Sequence, residues 1–301
     1  RWPIPELMLF GGMMITRGEA TRLLRIGKNL DSLILAARLF GRYILDRIHY
    51  KRGTRLILGN ALVAMLFKKL LDRHTTIWFN GKTKRLIFQN SRSFGLVVQR
   101  NGSLVNVRAN IGIVLAGGGF PASQELREQF FPKPVADYTS AYEGCTGDTL
   151  MLAREIGASL GPIREDNSLW FPSSISNRKD GSTAVYPHIV LDRAKPGLIA
   201  VNSLGRRFTN EGLSYHKFVL AMYRSHRNVP SIPAWLVCDR RFVWKYGIGM
   251  ILPLTLFLKP FVDRGYLYVA DSVEELAQKI GVDGVGLVET IRAHNEFART
   301  G

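Results

Sequence analysis

The chain has 301 residues, of which 46% are hydrophobic and 22% are charged. This composition is typical of a globular protein and excludes a disordered or fibrous one. The length is enough for two domains of ordinary size. The formal net charge is +17, and the first hundred residues hold 19 of the 41 basic side chains but 5 of the 24 acidic ones.

Basic side chains of the first hundred residues stand between large apolar ones, as in the stretches 23–26 and 38–40. This pattern is typical of amphipathic helices, so we do not expect a nucleic-acid partner. Such helices also bind anionic membrane surfaces, which leaves peripheral membrane contact open as an alternative. No apolar run reaches the roughly 20 residues of a membrane span, and two cysteines without a partner pattern favour a cytoplasmic protein.

Helical periodicity dominates the first quarter of the chain. It predicts helices over 19–50, with a break at 27–31, and over 61–72. Asp31 and Ser32 are candidate N-caps for the helix after the break, and Asn60 is the candidate N-cap of the next helix.

The apolar period then changes from helical to alternating. It predicts strands at 76–79, 83–88, 94–100, 103–109 and 111–116. Asn101-Gly102 lies between two of these strands, and this dipeptide predicts a hairpin with a type I′ turn. The last strand runs into three glycines, so its backbone can closely approach a flat molecule, although a plain strand-to-loop turn is an open alternative.

The remainder of the chain mixes short helices with short strands. We expect helices at 148–157, 214–225, 273–280 and 285–299, and strands at 169–171, 198–201 and 234–238. Ser272 and Glu275 form a capping box. A shift toward Gly, Pro, Ser and Asn places the domain boundary near residue 161, which gives domains 1–161 and 162–301. Histidine and cysteine spacings predict no metal site.

Several motifs occur together in a familiar order. They are Arg52-Gly53-Thr54-Arg55-Leu56, Gly59-Asn60-Ala61-Leu62, the hairpin, Val114-Leu115-Ala116-Gly117-Gly118-Gly119-Phe120, Thr146-Gly147-Asp148 and the run from Val201 to Glu211. This series resembles the flavoprotein family of fumarate reductase, succinate dehydrogenase and 3-ketosteroid dehydrogenase, and is most similar to the 3-ketosteroid Δ1-dehydrogenase branch.

The resemblance implies a mixed α+β and α/β fold. Its first part would be a piece of a Rossmann-like FAD-binding domain with an antiparallel β-meander, followed by an α+β substrate (capping) domain. The implied cofactor is FAD, and the residues placed beside it are Gly59, Asn60, Thr83, Ala116, Gly117, Gly118 and Asp148. For Asp148 a plain helix N-cap is an open alternative, since Thr149 replaces the second glycine of the family's Gly-Asp-Gly motif.

A tyrosine is the most informative residue of the series. The fumarate reductases have an arginine acid shortly after the Asn-Glu pair, whereas this chain has Tyr215, as the ketosteroid dehydrogenases do. The resemblance therefore implies that Tyr215 is the base that takes a proton beside a ketone, while a hydride passes to FAD N5. A half-buried structural role for Tyr215 stays open, and we expect His216 to play a supporting role.

The implied partners are an apolar, steroid-like ketone and an external electron acceptor. Alternatives are a fumarate-reductase-like enzyme for dicarboxylates, which needs arginines such as Arg206 and Arg207, and a non-catalytic fragment that binds membrane surfaces. The Gly-x-Gly-x-x-Gly run and the closing flavin segment of the family do not occur in these 301 residues. We therefore expect a central fragment that is inactive in isolation.

Overall fold

A computed structural model describes residues 12–23, 27, 29–89, 92–178, 180–189 and 192–300. The chain forms two units: residues up to 83 together with 98–105, and residues 84–97 together with 106–301. None of the described helices combines the length and the apolar character that crossing a bilayer requires.

The first unit is mainly helical. Its helices are α1 (Arg17–Leu23), α2 (Leu30–His49) and α3 (Leu58–Asp72). The predicted cap at Asp31–Ser32 is wrong, because Asn29 has the extended backbone of an N-cap and its side chain accepts a hydrogen bond from Asp31 N. The predicted cap at Asn60 is also wrong, since α3 already begins after Ile57, which offers no side-chain cap.

A three-stranded sheet follows in the order β1-β2-β3. The strands are β1 (Lys82–Gln89), β2 (Arg92–Arg100) and β3 (Ser103–Arg108). Asn101 and Gly102 have φ of 49° and 82°, so the predicted type I′ turn is confirmed. Gly95 allows close strand packing, because a Cβ there would stand 2.2 Å from the Val107 carbonyl oxygen.

Three predicted strands are absent from the described residues at their expected places. The segments 76–79, 111–116 and 169–171 have no strand pairing there, although their sequences are apolar. A strand needs a neighbour that satisfies its backbone N–H and C=O groups, and apolar alternation alone does not supply one. In the last case pairing starts two residues later, at Ser173.

The second unit holds two small antiparallel sheets and seven helices among its described residues. The strands are β4 (Ser173–Asn177), β5 (Thr183–Pro187), β6 (Leu198–Val201) and β7 (Trp235–Cys238). The helices are α4 (Gln124–Phe130), α5 (Asp148–Glu155), α6 (Tyr215–His226), α7 (Arg240–Tyr246), α8 (Lys259–Val262), α9 (Val273–Ile280) and α10 (Gly284–Thr300). β4 pairs with β5 and β6 pairs with β7.

The core of the second unit lies between the β6–β7 sheet and the last two helices. Ile199, Val201, Val237, Ala277 and Leu287 are buried there in one cluster. The predicted cap at Ser272 is confirmed, since Ser272 Oγ accepts from Glu275 N at 3.1 Å. The reciprocal bond of a capping box is shifted by one residue, because Glu275 accepts from Asp271 N rather than from Ser272 N. This packing anchors β6, and with it the turn that leads to α6.

Candidate active site

A large cavity lies in the second unit. Its volume is about 1720 Å³, enough for a ligand of several rings. Its lining includes the aromatic side chains of Tyr138, Trp170, Phe171, Tyr223, Trp235 and Tyr268. Such a wall favours a flat apolar ligand over a small polar one.

Tyr215 is the first residue of α6. Ser214 caps this helix, because its hydroxyl oxygen accepts a hydrogen bond from Lys217 N. The cap fixes where the first turn begins, and therefore fixes the position of the tyrosine that the family resemblance singles out.

Residues 170 and 171 hold that first turn from two sides. The Phe171 ring stacks on the Tyr215 ring with 4.3 Å between centroids and 14° between planes. The Trp170 backbone N–H donates to His216 Nδ1 at 3.3 Å. Phe171 lines the cavity, and Tyr215, which is not one of the described lining residues, adjoins the cavity wall through this stacking. A supporting role for His216 stays a prediction.

The two arginines of the run from Val201 to Glu211 form ion pairs with carboxylates of the chain itself. Arg207 Nε donates to Glu211 Oε1 at 2.9 Å, and Arg206 pairs with Glu289. Glu211 is buried and also accepts from Ala200 N at 2.8 Å. This run therefore connects the turn before α6 to β6 through Glu211. Both of its arginines are engaged in ion pairs.

Sequence reasoning missed a buried polar network beside the cavity. His188 Nδ1 lies 2.6 Å from Asp192 Oδ2, and His188 Nε2 lies 2.8 Å from Ser174 Oγ. Ser174 Oγ lies 2.7 Å from the Tyr266 hydroxyl. The four-residue spacing of His188 and Asp192 is a weak signal, and no pattern in the sequence links them to Ser174 or Tyr266.

Burial holds three titratable groups beside the cavity in their neutral form. It raises the pKa of Tyr223, the pKa of Tyr266 and, to about 12, the pKa of the Cys238 thiol. Near neutral pH these three groups are therefore protonated.

The pKa of the Asp192 carboxyl is lowered from 3.8 to about 2. Burial alone would raise it, but hydrogen bonds from His188, Gly249 N and Arg193 N outweigh burial. Because the folded pKa is depressed, the stabilisation is complete above about pH 4 and is lost as the pH falls toward about 2.

We expect this loss to reach about 2 kcal/mol of unfolding free energy, from a shift of nearly two pKa units. Urea unfolding between pH 5 and pH 3 measures its onset. Asp192→Asn has no titrating group, so its stability should fall less steeply with acid over this range. Equal slopes for the two proteins would contradict the assignment.

Ala116, Gly117 and Gly118 lie together with the segment before α5. A Cβ on Gly117 would stand 2.4 Å from Thr149 Cγ2, and Gly118 has a φ of 90°. In the described part of the chain no backbone hydrogen bond engages residues 111–119. Among the described residues their backbone N–H and C=O groups thus have no backbone partner, and contact of Ala116, Gly117 and Gly118 with FAD stays a prediction.

Asp148 is not the N-cap of α5, because Gly147 takes that position with a left-handed backbone. Asp148 instead occupies the first helical position and accepts a hydrogen bond from the Thr146 hydroxyl at 2.7 Å. The N-cap alternative is therefore wrong, and the role of Asp148 toward FAD stays a prediction.

The remaining predicted FAD residues belong to the first unit. Gly59 and Asn60 form part of the first turn of α3, whose N–H groups receive no side-chain cap. A Cβ on Gly59 would meet no atom within 4 Å. An uncapped helix N-terminus with open space beside it suits phosphate or carbonyl oxygens. Thr83 is half-buried near the start of β1.

Residues 7–301 match the family described as FAD binding domain. The chain belongs to this family. It is 30% identical to 4-oxocyclohex-2-ene-1-carboxylate 5-dehydrogenase of Sinomonas cyclohexanicum, over 97% of this chain and 50% of that protein. It is also 30% identical to 3-oxosteroid 1-dehydrogenase of Mycobacterium tuberculosis, over 83% of this chain and 45% of that protein.

The chain is also similar in structure to a solved protein of this kind. The 3-ketosteroid Δ1-dehydrogenase of Sterolibacterium denitrificans, in complex with 1,4-androstadiene-3,17-dione, superimposes with a TM-score of 0.82 at 33% identity. The match covers 97% of this chain and 53% of that one. The expected mixed fold, family and cofactor are thereby confirmed, and the chain is a member of an FAD-dependent oxidoreductase family. It spans about half the length of the curated relatives it matches.

Proposed function

We propose that this chain forms part of a flavin-dependent dehydrogenase that introduces a C=C bond beside the carbonyl of a cyclic, steroid-like ketone. The observation that carries the proposal is Tyr215, held by Phe171 at the wall of a large aromatic cavity. The relatives support it, since the similar proteins named above are dehydrogenases of cyclic ketones or oxosteroids.

The reaction removes one proton and one hydride from neighbouring carbons. The Tyr215 oxygen, in its phenolate form, takes the proton from the carbon next to the carbonyl and becomes a phenol, and the electron pair left behind becomes the new C=C bond. FAD, when bound, supplies the hydride acceptor. Phe171 keeps the Tyr215 ring in one orientation, and the aromatic wall keeps water from the reacting carbons.

A dicarboxylate substrate fits less well. Its recognition needs free arginines, and the two nearest to the motif are occupied by Glu211 and Glu289. The position of the fumarate-reductase acid also holds a phenol in this chain. We therefore favour the ketone.

The test uses the full-length gene product loaded with FAD. We expect a 3-ketosteroid to reduce an electron-accepting dye in its presence, and we expect no oxidation of a reduced dye by fumarate. A flavin-loaded protein that reduces fumarate and leaves cyclic ketones unchanged would contradict the proposal. Comparing a steroid with 4-oxocyclohexanecarboxylate separates polycyclic from single-ring substrates.

A further inference from the structure

The polar network beside the cavity joins four separate segments of the second unit. The side chains are Ser174 on β4, His188 and Asp192 after β5, and Tyr266 after α8. The fourth segment contributes backbone: Gly249 N donates to Asp192 Oδ2 at 2.8 Å, and Met250 N donates to the Tyr266 oxygen at 2.9 Å. His188 and Asp192 are buried, and Ser174 and Tyr266 are half-buried.

Gly249 shows how closely this network is packed. Its φ is +56°, and a Cβ there would stand 1.9 Å from the Tyr266 hydroxyl. Residue 249 is therefore restricted to glycine by both backbone and space. The hydroxyls of Ser174 and Tyr266 consequently have fixed positions relative to each other.

The directions of the hydrogen bonds are those of an ionised Asp192 beside a His188 ring that carries a single proton. The carboxylate only accepts, so that proton is on Nδ1, and Nε2 accepts. Ser174 then donates its proton to Nε2, Tyr266 donates to Ser174, and Met250 N donates to Tyr266. Every donor of the network is used, and the lone pairs that stay free belong to the Ser174 and Tyr266 oxygens.

The Asp-His-Ser order also occurs in hydrolases with a nucleophilic serine. That role needs free N–H donors beside the serine to stabilise an oxyanion. In this chain the nearby Gly249 and Met250 N–H groups are committed to Asp192 and Tyr266. The network is thus better suited to recognition than to acyl transfer.

Ser174 and Tyr266 line the same cavity as Phe171. Ser174 follows Phe171 by three residues, so the chain places them within about 11 Å of each other. A rigid molecule of several rings is long enough to reach from one residue to the other at any separation up to that limit. A polycyclic ketone held against Phe171 can therefore reach Ser174 and Tyr266 with its opposite end.

We infer that Ser174 and Tyr266 form a second recognition point, which accepts a hydrogen bond from a hydroxyl group at the far end of a polycyclic ketone substrate. This rests on the proposed function. Because the free sites of the network are acceptors, a hydroxyl that donates is preferred to a keto oxygen that cannot. His188 and Asp192 act as positioning residues that hold the Ser174 proton away from the substrate.

The test compares 4-androstene-3,17-dione with its 17-hydroxy and 17-deoxy counterparts, using the FAD-loaded full-length protein. One hydrogen bond of about 1 kcal/mol corresponds to roughly a fivefold higher kcat/KM for the 17-hydroxy compound than for the other two. Ser174→Ala and Tyr266→Phe should bring this ratio close to one. Ser174→Thr keeps a hydroxyl and should retain the preference, which controls for a folding defect.

The outcomes separate the two proposals. If none of the three steroids is oxidised, the proposed function fails. If all are oxidised and the wild-type ratio is already one, or if the preference survives in Ser174→Ala and Tyr266→Phe, the second recognition point is refuted while the dehydrogenase stands.

Discussion

Tyr215→Phe is expected to lower kcat for ketone oxidation by about a thousandfold, while FAD stays bound. Removing a general base costs roughly 10²–10⁴-fold, and phenylalanine keeps the ring that stacks on Phe171. The helix cap at Ser214 is also unaffected, so the local fold is retained. Steady-state kinetics with a 3-ketosteroid and a dye measure the loss, and the flavin absorbance reports cofactor content.

Tyr223→Phe is the matched control. Tyr223 belongs to the same helix and lines the cavity, but burial raises the pKa of its phenol. Its hydroxyl makes one long bond, of 3.3 Å, to the Pro134 carbonyl oxygen. We expect kcat to change by no more than about threefold. A Tyr215→Phe protein that works as fast as the Tyr223→Phe protein would show that Tyr215 is a structural residue.

Asp192→Ala is expected to destabilise the protein by about 3–5 kcal/mol, because it removes a buried carboxylate that accepts several hydrogen bonds. The change leaves His188 Nδ1 and the N–H groups of Gly249 and Arg193 without their acceptor. Each buried donor that loses its partner carries a desolvation cost. Urea unfolding at neutral pH measures the difference in free energy.

Asp263→Ala is the control for this change. Asp263 pairs with Lys259 four residues away on the surface, where both side chains are largely exposed. Such pairs contribute up to about 1 kcal/mol, so a small change is expected. If the two alanine variants unfold at the same urea concentration, the Asp192 network does not hold the four segments together.

The parts of the fold that were predicted correctly are encoded within a few residues. The Asn101-Gly102 turn requires two residues with positive φ, and this dipeptide adopts that conformation readily. Ser272 and Glu275 satisfy neighbouring N–H groups, and Gly281 ends the same helix with a left-handed backbone. Signals of this kind need no tertiary contact.

The strands expected at 76–79 and 111–116 are absent because strand pairing, unlike a turn or a helix cap, depends on residues far away in the chain. Their apolar residues are exposed in the structure, as at Ile111 and Val114, and no strand among the described residues pairs with them. Pairing depends on a partner segment, which periodicity cannot reveal. The helix caps were displaced because Asn29 and Ile57 begin their helices earlier than the apolar pattern does.

The candidate site likewise has one part that the sequence predicted and another that only the structure shows. Tyr215 was found from a motif within one stretch of chain, and the structure adds Phe171 as its stacking partner from 44 residues away. Ser174 and Tyr266 are separated by 92 residues, and their contact depends on the packing of β4 against the segment after α8. No local pattern encodes such a contact, so three-dimensional structure was needed to find the network.

The most direct measurement is anaerobic reduction of the bound flavin by a 3-ketosteroid, followed through the loss of the flavin's visible absorbance. We predict that the FAD-loaded wild-type and Tyr223→Phe proteins bleach on mixing with the steroid, and that Tyr215→Phe bleaches about a thousandfold more slowly. Bleaching of the Tyr215→Phe protein at the wild-type rate, or no bleaching of the wild-type protein, would contradict a ketone dehydrogenase that uses Tyr215 as its base.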